Sequence, residues 1–180
     1  MMNDHSPRVF GLHDATVVDA TRLAEFGART FFESFAADNT EDDMRRHLAS
    51  AWGPDKQLAE IQDPDIDTLI YADGAGRWQG FAQLRAGKTS DGVPREGSVE
   101  LWRFYVDKPF HGQGVAAGLM NGVKLRAKRR GATTLWLGVW ERNERAKAFY
   151  AKHGFRKVGS QVFVVGTDPQ TDHVMLCPLA

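Results

Sequence analysis

Residues 98–116 read SVELWRFYVDKPFHGQGVA, and this stretch decides what the chain can be. Ser98–Val106 is dense in aromatic and aliphatic residues and reads as a strong strand. Asp107-Lys108-Pro109 ends it. A glycine-bearing loop, His111-Gly112-Gln113-Gly114, then opens a helix over Gly114–Arg130, with Val115, Leu119 and Val123 on one stripe. The first N–H groups of a helix have no internal partner and point outward. Together with the helix dipole they make an anion site suited to a pyrophosphate, and glycines let a ligand come close. On the residues alone, a tight turn with no ligand explains the same glycines equally well.

Outward from this stretch the chain alternates between periods. Arg8–Asp14 is expected as a first strand. Asp19–Ala37 follows as a helix with Leu23, Phe26, Thr30, Phe31 and Phe35 at helical spacing, and with Asp19 as its cap. Asn39 or Thr40 caps a second helix to about Ser50, and Pro54 suits the first turn of a third over Asp55–Gln62. Thr68–Ala72 and Trp78–Arg85 read as a hairpin about Asp73–Gly76. Thr133–Val139 is a strand, and Asn143–Lys152 is a helix closed by Gly154. Phe155–Val165 and Asp172–Leu176 are final strands, turned through Gly166–Thr171. The order β-α-α-(α)-β-β-β-α-β-α-β-β describes an α/β (α+β) fold with one central sheet.

The bulk properties narrow the class. With 180 residues and 42% hydrophobic content the chain can bury a real core, and one domain over 1–180 is expected, with 1–7 flexible. Lys+Arg and Asp+Glu both number 23, which argues against a nucleic-acid partner. The basic run Lys124, Arg126, Lys128, Arg129 and Arg130 sits at a helix C-terminus, where cations are favoured anyway. No apolar run reaches the roughly 18 residues of a membrane span, and no signal-peptide pattern opens the chain. One cysteine, Cys177, suggests a reducing, cytoplasmic compartment. The six histidines show no ligand spacing, so no metal is expected.

Gly112-x-Gly114-x-x-Ala117 also fits a dinucleotide fingerprint, but residues 131–140 lack the acid expected about 20 residues on. The loop lacks the Gly-Lys-Ser/Thr ending of a P-loop. It more closely resembles the Gln/Arg-x-x-Gly-x-Gly/Ala loop of the Gcn5-related N-acetyltransferase superfamily, with His111 where Gln or Arg is usual. Asn143-x-x-Ala146-x-x-Phe149-Tyr150-x-x-x-Gly154-Phe155 is similar to that superfamily's later motif. The two motifs at this separation are far more specific than either alone.

The resemblance implies a mostly antiparallel sheet flanked by helices and direct transfer of an acetyl group from acetyl-CoA to an amine. It implies that the strand end Phe104-Tyr105-Val106, the loop residues His111, Gly112, Gln113, Gly114, Val115 and Ala116, and Asn143 hold the cofactor. Val106 offers a backbone N–H to the carbonyl oxygen, and Tyr150 is the acid beside the sulfur. Asn143 also has a plain role as a helix cap, and Tyr150 as core. Glu100, six residues before Val106 and so expected on the same strand face, is the candidate base; a salt bridge to Arg103 is the competing role.

Residues 100–112, with Phe31–Phe35, Asn39 and Asp43-Met44, resemble the PaiA-type polyamine acetyltransferases, which implies spermidine or spermine as acceptor. The acid-rich segment Glu33–Asp67 fits a cationic acceptor, though solvated helix faces explain it as well. Trp102 and Trp140 are candidates for an acceptor pocket or for core. A peptide N-terminus, a lysine or another small amine is the alternative acceptor. The superfamily suggests a homodimer. A non-catalytic acyl-CoA sensor and a nucleotide-binding module are the readings of another class.

Overall fold

The computed structural model describes residues 11–179. The expectations for residues 1–7, and for residues 8–10 of the first strand, lie outside them. Strand β1 is Gly11–Asp14. Asp19 does not cap the long helix: Thr16-x-x-Asp19 closes on itself, and Asp19 Oδ2 accepts from Thr16 N at 2.8 Å and Oγ1 at 2.9 Å. That box caps a 3-10 turn, and α1 starts behind it at Ala20–Phe35. Thr40 Oγ1 accepts from Asp43 N at 3.1 Å and opens α2, Glu41–Ala51; Pro54 stands in the first turn of α3, Pro54–Gln62. The remaining elements are β2 (Ile66–Ala72), β3 (Trp78–Arg85), β4 (Ser98–Val106), α4 (Val115–Arg129), β5 (Thr134–Trp140), α5 (Glu144–Lys152), β6 (Arg156–Val165) and β7 (Asp168–Pro178).

The strands form one sheet in the order β1-β2-β3-β4-β5-β7-β6. All neighbours run antiparallel except β4 and β5, which are joined by the α4 crossover that a parallel pair requires. One face packs on α4 and α5 through Leu119, Met120, Val123 and Tyr150 against Leu84, Leu101, Leu135 and Leu137. The other packs on α1–α3 through Leu23, Phe26, Phe31, Met44 and Trp52 against Ile70 and Phe81.

Two irregularities shape the middle of the sheet. Arg103 pairs with Gln83 while Leu101 pairs with Leu84, so Trp102 is an extra residue, a bulge in β4. The parallel pairing of β4 with β5 is confined to Ser98–Glu100 against Thr134–Trp136; beyond it the strands part.

The last hairpin is longer than its composition suggests. Val165 pairs directly with Asp168, leaving a two-residue turn with Gly166 at φ 61°. Thr-Asp-Pro-Gln-Thr reads as a turn because it is polar and carries a proline. Here all of it after Thr167 forms strand beyond the body of the sheet, with Pro169 opposite Val164. The turn is fastened to α2: Asp43 Oδ1 accepts from Thr167 N at 2.7 Å and Oγ1 at 2.8 Å. A Cβ at Gly166 would lie 2.4 Å from Asp43 Cα, so only glycine fits that contact.

Many charges are paired internally. Arg126 binds Asp14 at 2.6 Å and Asp67 at 2.9 Å, Arg130 binds Asp67, and Lys124 donates to the His153 carbonyl at 2.5 Å. The basic run is thus largely tied to the body of the protein. Asp42 pairs with Arg45 and Arg46, and Glu33 with Arg29.

Under the sheet, Glu60 Oε2 accepts from Arg103 Nη1 at 2.6 Å and from Gln57 and Gln83 at 3.2 Å each. Both partners of this ion pair are 8% exposed at the side chain. Removing one side of such a pair leaves the other charge buried alone. Glu60→Ala is therefore expected to cost about 3–5 kcal/mol in urea unfolding. Glu33→Ala, at a pair 45% and 39% exposed, is expected to cost under about 1 kcal/mol.

Candidate active site

The parting of β4 from β5 opens a cavity of about 1010 Å³ lined from both faces of the sheet. On the α4/α5 side it reaches the glycine loop through His111, Gly112 and Ala116. Gly112 and Gly114 have φ of 75° and 83°, left-handed values that exclude other residues without strain. A Cβ at either would meet nothing within 4 Å, so the loop backbone lies bare. Gly114 precedes α4 directly, leaving the N–H groups of Val115 and the next residues pointing outward.

The strand end is oriented by its pairing. Asp107 N donates to Gln79 O at 2.8 Å, toward β3. Strand alternation then turns the N–H and C=O of Val106 the other way, into the split. The carbonyl of Val106 is held by His111 Nε2 at 2.8 Å, while Arg145 Nη1 lies 3.1 Å from His111 Nδ1. Donation from Nε2 to a carbonyl leaves Nδ1 as the acceptor from Arg145. His111 therefore ties the loop, the end of β4 and α5 together.

In α5, Asn143 Oδ1 accepts from Ala146 N at 3.1 Å as the helix cap, and the residue also lines the cavity. Tyr150 lies two turns on, 9% exposed and on the cavity wall. Its ring packs edge-on against Phe104, Phe149 and Phe155 at 6.2, 5.5 and 5.6 Å. Ala146 and Phe149 pack on the core and line the cavity as well.

The wall on the α1–α3 side corrects one expectation. The extra residue at Trp102 reverses the alternation of β4. Val106 and Phe104 face α4 and α5; Tyr105, Arg103 and Glu100 face α1–α3. Glu100 thus lies on the opposite face from Val106. Its salt bridge is to Arg85, not Arg103: Oε2 accepts from Arg85 Nε at 2.8 Å and Nη2 at 2.7 Å. Trp102 is gripped between Arg85 and Arg103, whose guanidinium carbons lie 4.2 and 3.9 Å from its ring centre. Trp102 and Trp140 both line the cavity.

One further residue on this wall, Asp172 of β7, escaped the sequence reading. It pairs with Trp140 of β5 and Gln161 of β6, is 7% exposed, and lines the cavity. Gly138 makes room for it: a Cβ there would lie 3.0 Å from Asp172 Oδ2 and 2.5 Å from Gln161 Nε2. A separate open groove lined by Arg22, Arg29, Arg77 and Lys108 lies beside the end of β4. Arg29 there is bound to Asp107 and Glu33, and Arg22 to the Gly76 carbonyl.

The chain as a whole is matched by known proteins. The model of the acetyltransferase (GNAT) family matches residues 28–155. The chain belongs to this family. Uncharacterised N-acetyltransferases of Mycobacterium tuberculosis and Lactobacillus delbrueckii subsp. lactis are 34% and 30% identical to it, covering 89% and 87% of this chain and 90% or more of their own. The crystal structure of a PaiA N-acetyltransferase from Thermoplasma acidophilum in complex with coenzyme A has the same fold, with TM-score 0.74 at 19% identity, over 93% of this chain and 97% of that one. Among the described residues of this acetyltransferase, no helix is long and apolar enough to cross a membrane.

Burial sets the protonation of the site. It pushes the Tyr150 hydroxyl above the usual phenol value, with Tyr105 adding to the effect. It pushes Tyr105 to about 12, against the pull of Arg103 and with a contribution from Asp172. Glu100 is raised by burial and pulled back by Arg85 and Lys88. Asp172 is raised to about 6 by burial.

A carboxyl that holds its proton more tightly folded than unfolded weakens the fold as pH rises through the interval between the two values. For Asp172 that interval runs from about 4 to about 6, and the full cost above it is on the order of 3 kcal/mol. Asp172→Asn is expected to melt at a higher temperature than the native protein at pH 7.5. The difference should shrink as pH falls below 6 and vanish near pH 4 in a thermal-unfolding series.

Proposed function

We propose that this acetyltransferase moves the acetyl group of acetyl-CoA to a primary amine by direct attack, with a polyamine such as spermidine or spermine as acceptor. The observation that carries the reading is one continuous cavity. It joins the glycine loop, the inward-turned N–H of Val106 and Tyr150 to an aromatic wall on the far face of the sheet.

The pyrophosphate sits on the bared backbone of Gly112, Gln113 and Gly114 and on the first N–H groups of α4, at Val115 and Ala116. Arg145 adds a cation beside His111. Along Phe104-Tyr105-Val106 the backbone groups of Phe104 and Val106 address the split and offer hydrogen bonds to the cofactor's amide arm, while those of Tyr105 address β3, and Asn143 caps the facing helix. The Val106 N–H polarises the thioester carbonyl, an effect of roughly 10²–10³ for one oxyanion donor. Tyr150 gives a proton to the departing thiolate. A phenol is protonated at neutral pH in any case; burial, by raising its proton affinity further, favours a strong hydrogen bond to the sulfur as charge develops there over early release of the proton.

The polyamine reading rests on the resemblance of residues 31–44 and 100–112 to the PaiA type. It also rests on a wall of Phe31, Phe35, Trp140 and Phe163, rings that attract cations. The acid-rich segment adds little, since Glu33, Asp42, Asp43, Glu60 and Asp67 all have internal partners.

The test is CoA release from acetyl-CoA with spermidine, spermine, a lysine peptide, an aminoglycoside and no acceptor. Polyamine turnover is the expected result; turnover with another amine alone would keep the enzyme and discard the acceptor. Tyr150→Phe is expected to lower kcat roughly 10²–10⁴-fold with acetyl-CoA binding unchanged by calorimetry. An unchanged kcat in a chemistry-limited assay would remove Tyr150 as the acid.

A further inference from the structure

We propose that Asp172, not Glu100, binds the ammonium group of the acceptor and takes its proton ahead of acetyl transfer. This deepens the reading of the cavity as an amine acetyltransferase site and rests on it.

The argument begins with charge. An acceptor amine arrives as an ammonium, which cannot attack, since its lone pair is held by a proton. A partly desolvated cation needs a negative group that is not already neutralised. Two carboxylates line the cavity, Glu100 and Asp172. Glu100 is occupied by the Arg85 guanidinium at two short contacts. Among the described residues Asp172 forms no ion pair, and burial alone accounts for its raised proton affinity. It is the uncompensated negative charge of the cavity.

Its surroundings point the same way. From β5 it is faced by Gly138 and Trp140, and from β6 by Gln161, none of them charged. From α1, Ser34 and Phe35 line the wall. From β4 come Tyr105, whose hydroxyl feels the Asp172 charge, and Arg103, which is bound to Glu60. From α2 comes His47, stacked on Phe31 at 4.3 Å. His47 is the other candidate base, but the charges acting on it are the cations Arg103 and Lys56, which repel an incoming ammonium. Trp140 sits directly across from Asp172, with Phe35 edge-on to it at 6.4 Å. An ammonium at Asp172 therefore also meets aromatic rings. Gly138 belongs to β5 beyond the segment paired with β4, so this carboxylate lies on the β5 side of the split.

The protons balance. Asp172 accepts one proton from the ammonium, leaving a neutral amine. Nitrogen bonds to the thioester carbonyl carbon, and the carbon–sulfur bond breaks as the tetrahedral intermediate collapses. The thiolate receives the Tyr150 proton, and the second proton shed by nitrogen restores Tyr150. Asp172 returns its proton to water. A carboxylate with proton affinity near the working pH suits this task better than one at the usual value.

The experiment compares the native enzyme, Asp172→Asn and Glu100→Gln from pH 5.5 to 9.5. It uses acetyl-CoA and whichever of spermidine, a lysine peptide or phenethylamine the native enzyme acetylates. Asp172→Asn should lower kcat/KM for the amine at least 100-fold at pH 7. It should recover toward the native value as pH rises and more amine is already neutral. The affinity for CoA, by calorimetry, should not change. A retained rate, a loss uniform in pH, or the same pH-dependent loss in Glu100→Gln instead would overturn the assignment.

Calorimetric binding of the same amines to the CoA-loaded proteins separates this assignment from the function on which it rests. A native protein that acetylates none of them but binds one, with binding lost in Asp172→Asn, defeats the acetyltransfer reading and upholds the ammonium site. Binding by both proteins, or by neither, overturns the site.

Discussion

The site depends on the disagreement between β4 and its two neighbours. Toward β3, the strand carries one residue too many, Trp102. Toward β5, it stays paired for only three residues and then departs. The bulge bends the strand and reverses which face its residues address. The separation frees the N–H of Val106 and gives the cavity a passage through the sheet. The bulge is held open by a stack in which Arg85, Trp102, Arg103 and Trp52 alternate cation and ring. Glu100 and Glu60 anchor the two guanidinium groups. Charge is thus buried around the inserted residue itself.

The order and type of the elements were legible because each carried a local signal. Examples are the aromatic run of 98–106, the glycines of the loop, the Asn143 cap and the stripe of α4. The loop and α5 motif together also disclosed the family. What failed was anything set by a distant partner. Counting in twos puts Glu100 on the face of Val106, and counting cannot see an inserted residue whose only mark is a register against Gln83 and Leu84. Pro169 and Gln170 look like loop and lengthen the turn expected from sequence, whereas Asp43 on another element fastens a two-residue turn.

Asp172 is the instructive omission. In sequence it is one acid among polar residues before a short apolar run. Its burial comes from Trp140 and Gln161 on either side, and its room from the missing side chain of Gly138. The available signals were a glycine in the middle of a strong strand, which marks a close approach, and an acid at the start of the strand beside it. Neither is decisive alone.

The contact between α2 and the last turn has a mechanical consequence. Asp43 grips Thr167, and Asn39 Oδ1 accepts from Gln170 Nε2 at 2.6 Å. His47 and Asp172, both on the cavity wall, therefore belong to one braced frame. Side chains already held in such a frame have little freedom left to lose, so a molecule that enters the cavity beside them imposes little ordering cost on the protein.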